Sequence, residues 1–141
     1  ASGEAWDGGP LLISWRDAQM AGSGYNVVIH EFAHKLDMLN GEANGIPPLP
    51  AQLSPRHWQQ VLNAAYDDFC ARVDAAADSA QETLFDPYAS ENPGEFFAVM
   101  SEAFFEAPVL LRTEYPALYA QLAGFYRQDP VSRIFRIASR Q

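Results

Sequence analysis

Two of the chain's three histidines stand four residues apart in the run His30-Glu31-Phe32-Ala33-His34. Four residues along an α-helix turn through about 400°, so both imidazoles leave the same face one turn apart, close enough to share one tetrahedral ion. Glu31 projects about 100° away from His30, beside the position such an ion leaves open, where its carboxylate can accept a proton from a bound water. The chemistry divides the labour: Zn²⁺ lowers the pKa of a bound water towards about 7 and polarises a carbonyl, while the glutamate moves protons. The pattern points to metal-assisted hydrolysis.

Two histidines and a water leave a tetrahedral site one protein ligand short. A metzincin would carry a glycine at the third residue after His34 and a histidine at the sixth; Asp37 and Asn40 stand there, which excludes that class. His57, beside Trp58 in what reads as the first turn of a helix, is expected to be an exposed or packing residue. Asp37 shares the face of His30 and His34, but one helix cannot wrap around the ion, so Asp37 is expected to orient His34 or to be an exposed acid. A carboxylate from another element is the better candidate. Glu95, Glu102 and Glu106 lie within about 20° of one line on a later helix, and spacing does not choose among them. Glu95 could equally be the capping-box partner of Asn92.

The elements that must position these groups are read from periodicity and punctuation. Asn26 to Leu39 lacks Gly and Pro and ends at Asn40-Gly41, which predicts a helix of about four turns with Val28, Phe32, Leu36 and Leu39 packed on a core behind the histidines. Residues 41–53, with Gly45, Pro47, Pro48 and Pro50, predict a loop. Ser54-Pro55 opens a long helix to about Ala77, with Trp58, Val61, Leu62, Ala65, Phe69 and Val73 on its apolar face. A polar segment, 78–90, precedes a third helix capped by Asn92, begun by Pro93 and ended before Pro108, with Phe96, Met100, Ala103 and Phe104 turned away from the glutamates. A fourth helix runs from Pro116 to about Arg127. Near the start, the apolar run Leu11-Leu12-Ile13-Ser14-Trp15 behind the turn Gly8-Gly9-Pro10 predicts one strand.

At 141 residues, 48% hydrophobic and 19% charged, the chain has the size and composition of one compact domain, which argues against a disordered protein. Its net charge of -9 repels phosphate backbones and anionic bilayers, so neither nucleic acid nor a membrane is expected as a partner. The charge is uneven: Arg127, Arg133, Arg136 and Arg140 against Asp129 give residues 127–141 a net +3, leaving -12 on the rest. The lone Cys70 forms no internal disulfide, which fits a reducing, cytoplasmic location.

The run Asp86-Pro87-Tyr88-Ala89-Ser90-Glu91-Asn92-Pro93-Gly94-Glu95-Phe96-Phe97-Ala98-Val99, with Ser101-Glu102 and Phe104-Phe105-Glu106 after it, resembles the Mlc titration factor A family of zinc metallopeptidases. Gly9 to Trp15, His30 to Leu39, Asn44 to Leu49 and Phe125 to Pro130 resemble it too, so the likeness covers nearly the whole chain. The catalytic segment is also similar to the protease domain of anthrax lethal factor, which shares a tyrosine seven residues before the ligand glutamate. The resemblance implies His30, His34 and Glu95 as zinc ligands, Glu31 as general base and acid, and Tyr88 as a catalytic hydroxyl near the metal. It further implies aminopeptidase activity on small peptides or amino-acid amides and binding to the glucose-repressor protein Mlc.

The expected fold is α+β and mainly α, a zincin-like arrangement in which the active helix lies beneath a small sheet. Residues 1–128 are expected to form the catalytic domain, with the family's preceding part absent, and 129–141 a short basic tail. The expected function is peptide hydrolysis by Glu31-assisted attack of zinc-bound water. The alternative is a repressor-binding module that uses its metal for structure; structural sites are usually closed by four protein ligands, and three plus a reserved base favour the enzyme.

Overall fold

The structure is a computed structural model that describes residues 27–139. Six α-helices occur among them: α1 (Val27–Met38), α2 (Pro55–Ser79), α3 (Pro93–Glu106), α4 (Pro108–Glu114), α5 (Pro116–Tyr126) and α6 (Pro130–Ser139), with a 3-10 turn at Pro87–Ser90. Every one of these elements after α1 begins with proline, whose missing N–H is no loss at the first helical position and whose fixed φ suits it. Side-chain caps reinforce three of the starts. Ser54 Oγ accepts the His57 N–H at 3.2 Å, Asp86 Oδ1 accepts that of Tyr88 at 3.0 Å, and Asn92 Oδ1 accepts that of Glu95 at 2.9 Å.

α3 is the central element. Every residue from Phe96 to Phe104 is buried, as a helix apolar on nearly all sides must be. Around it α2 presents Trp58, Leu62, Ala65 and Phe69 to the core, close to the predicted face, with Val61 and Val73 packed at its margin. Aromatic rings fill the spaces: Trp58 lies 6.0 Å from Phe97 and 5.5 Å from Phe125, and Phe69 lies 6.0 Å from Phe96. Each such buried ring contributes about 1.5–3 kcal/mol, so α3 is firmly held.

Three expectations need correction. The small sheet is not found: residues 27–139 contain no strand, and the described chain is mainly α. A sheet needs paired strands, and the other apolar segments of the sequence have helical spacing; the one strand-like run, Leu11 to Trp15, lies outside the described residues. Pro108 does not merely stop α3 but restarts the chain as α4, which the sequence reading missed. The face of α1 predicted to pack on the core is only partly covered: Val28 and Leu36 are half-buried, Phe32 is 47% exposed and Leu39, just past the helix, 71%, while Ala33 and Asp37 on the histidine side are fully buried. No helix among the described residues is long and apolar enough to cross a membrane.

The segment after Asp129 is attached by a short relay. The Val131 N–H donates to the Tyr119 hydroxyl at 3.1 Å, which donates to Asp129 Oδ1 at 2.6 Å. The tyrosine hydroxyl favours the ionised carboxylate and, against a small opposing effect of burial, holds Asp129 below the usual aspartate pKa. A depressed folded-state pKa stabilises the protein above the unfolded value, and that stability disappears as pH falls through the folded one. The stability advantage of the wild type over Asp129→Asn, measured by urea denaturation, should therefore be full above about pH 4 and close as the pH is lowered further.

Candidate metal centre

α1 carries His30 and His34 one turn apart, their ring centroids separated by 4.8 Å with the planes inclined at 69°. They face the first turn of α3, where the Asn92 cap fixes the Glu95 backbone. The Glu95 carboxylate reaches across to both rings: Oε2 lies 3.1 Å from His30 Nε2 and Oε1 lies 2.9 Å from His34 Nε2. One ligand atom from each of the three residues falls within 4.8 Å of the others. Donors bound at about 2.0–2.1 Å in a tetrahedron stand about 3.3 Å apart, so two imidazole nitrogens and a carboxylate at these separations suit a zinc-type ion with little rearrangement.

Glu102, two turns further along α3, is 1% exposed and hydrogen-bonded to His30 Nδ1. A neutral ring donating Nδ1–H to Glu102 would present its Nε2 lone pair, the tautomer a metal ligand requires. Burial opposes a charge on His30, but the hydrogen bond and charge of Glu102, with those of Glu95 and Glu31, outweigh it and raise its pKa above the ordinary histidine value. The three glutamates left equivalent by spacing are thus in different places. Glu95 meets both histidines, Glu102 backs His30, and Glu106 is exposed about 16 Å from Glu95 along the helix axis.

Glu31 is partly buried on α1 next to His30, near enough for its charge to act on that ring. Tyr88 stands on the 3-10 turn, which packs against α3; its side chain is 53% exposed and has no hydrogen bond to His30, His34 or Glu95 among the described residues. His57 is exposed in the first turn of α2. Asp37, fully buried, accepts the Asn44 N–H on Oδ1 at 3.2 Å and the Gly45 N–H on Oδ2 at 2.8 Å. Burial holds its carboxyl above the usual aspartate pKa despite those bonds and the opposing pull of His34. Sequence reasoning therefore missed the attachment of Asp37 to the loop and the contact of Glu102 with His30. The signal for Glu102 was there, since a lone acid within the apolar run Phe96 to Phe105 needs a buried partner.

Residues 1–127 match the model of the family described as Glucose-regulated metallo-peptidase M90. The chain is 44% identical over 138 residues to proteins called Mlc titration factor A in Yersinia pestis (strain Pestoides F) and in Yersinia pseudotuberculosis serotype O:1b (strain IP 31758). The alignment takes in 96% of this chain and 50% of each relative, so the chain spans about half the length of the curated relatives it matches. With the family model covering most of its length, and with a His, His, Glu cluster suited to a metal, the chain belongs to the glucose-regulated metallo-peptidase family.

Proposed function

We propose that this chain is the catalytic part of a zinc-dependent metallopeptidase of the aminopeptidase type, cleaving small peptides or amino-acid amides in the cytoplasm. The observation that carries the reading is the convergence of His30, His34 and Glu95 from two helices, with Glu31 following His30 directly. A zinc ion held by the three would polarise the substrate carbonyl and acidify a water. Glu31 takes the proton of the attacking water and returns it to the departing amine as the C–N bond breaks. Glu102 keeps the His30 ring in its ligating tautomer and orientation. Tyr88, on an exposed turn, supplies a neutral hydroxyl that donates to the developing oxyanion. Residues 1–128 form the catalytic domain in this reading and 129–141 a basic appendage. The relatives' name supports a further proposed role, binding of Mlc, independent of hydrolysis. Among the described residues the set comprises three protein ligands, one short of a closed structural site, which favours catalysis over a purely structural metal.

Metal-loaded Glu31→Gln should retain its zinc, measured by elemental analysis, and lose hydrolysis of chromogenic amino-acid amides by about 10²-fold or more. Full activity in that variant would refute the mechanism. Glu102→Gln should fold and bind zinc about 10–100-fold more weakly in chelator competition.

A further inference from the structure

Between α1 and α2, the loop 43–46 is wedged against the start of α3. Asp37 holds it from one side through the Asn44 and Gly45 N–H groups. From another side Trp58 Nε1–H of α2 donates to the Gly45 carbonyl at 2.8 Å. Gly45 sits at φ +83°, and a Cβ there would lie 2.5 Å from Leu62 Cδ2 and 3.0 Å from the Pro93 carbonyl oxygen. A Cβ on Gly94 would lie 2.4 Å from the Ala43 carbonyl oxygen. The loop backbone therefore bears directly on Pro93 and Gly94, the two residues ahead of Glu95. Asp37 itself is one turn beyond His34 on the helix that carries both histidines.

We propose that Asp37 is a positioning residue for the metal site, acting through the loop 43–46 to set the distance between the histidines of α1 and the carboxylate of Glu95. A buried carboxylate held by two backbone donors is a stiff strut, because leaving the buried Gly45 N–H unpaired costs about 1–3 kcal/mol. The strut joins the ligand-bearing helix to the loop, and glycine at 94 lets the loop backbone come into contact with α3. Both halves of the three-ligand cluster are thereby referred to one rigid joint. The inference rests on the metal reading of His30, His34 and Glu95.

Cobalt(II), whose visible absorption reports tetrahedral geometry, serves as the probe, with zinc affinity from chelator competition as the second readout. Three variants loosen the joint: Asp37→Asn, Gly94→Ala, and the mild Trp58→Phe, which removes the bond to Gly45 and keeps an aromatic ring in place. Leu118→Ala, which hollows the core at α5, controls for lost stability. The strut variants should bind zinc about tenfold or more weakly, Trp58→Phe the least affected, and show a weakened tetrahedral cobalt band, while Leu118→Ala keeps wild-type affinity and spectrum at a temperature where it is folded. Wild-type affinity and spectrum in the folded strut variants, Trp58→Phe included, would overturn the proposal, as would an equal spectral change in Leu118→Ala. A wild-type protein that takes up no cobalt or zinc would instead remove the metal reading on which it rests.

Discussion

The contact between α1 and α3 is threaded by charge pairs and hydrogen bonds, and the rest of the site depends on it. A helix normally docks through its greasy stripe, yet here Phe32 stays about half exposed while the side turned to α3 carries His30, Ala33, His34 and Asp37. Carboxylates buried at that contact, Glu102 above all, cost several kcal/mol unless something answers their charge. His30 answers Glu102, both histidines answer Glu95, and backbone N–H groups answer Asp37. Three of these pairings, His30 with Glu102 and both histidines with Glu95, cross from α1 to α3 and fix the register of one helix against the other. The same register places three ligand atoms around a common point.

Such a contact works only against a rigid partner. α3 supplies that rigidity by being buried on almost every side, held by Trp58, Phe69 and Phe125 and by a second cluster in which Phe104 stacks on Tyr126 at 5.7 Å. The Tyr126 hydroxyl, its pKa pushed up to about 12 by burial, donates to Ser101 Oγ and gives the polar atoms on that flank of α3 a partner. Glu95 and Glu102 thus project from a helix buried along most of its length, and ligands carried on rigid elements hold their geometry better than ligands on loops. Loop 43–46 extends the same support to the first turn of α3.

Much of this was legible in the sequence. The four-residue spacing of the histidines and the proline-and-cap starts of α2 and α3 were readable because they act locally. The choice among Glu95, Glu102 and Glu106 was not, because the three share one line on the helix and only the position of α1 along α3 separates them. Resemblance to a family pointed to Glu95, and the structure brings Glu95 to the histidines. The orientation of α1 was misread because apolar periodicity assumes that hydrophobic area decides which face goes inward. α4 is hidden in the sequence because Pro108 signals the end of α3 and equally the start of a new helix. The expected sheet came from one short apolar run together with the resemblance to a zincin-like fold, and residues 27–139 hold no strand.

The central claim is that His30, His34 and Glu95 hold one metal ion with a position left open. Anomalous diffraction at the zinc edge from crystals grown with zinc tests it most directly. One peak per chain is expected, about 2.0–2.2 Å from His30 Nε2, His34 Nε2 and a Glu95 oxygen, with no fourth protein side chain bound. A peak elsewhere, or a fourth protein ligand closing the site, would contradict it.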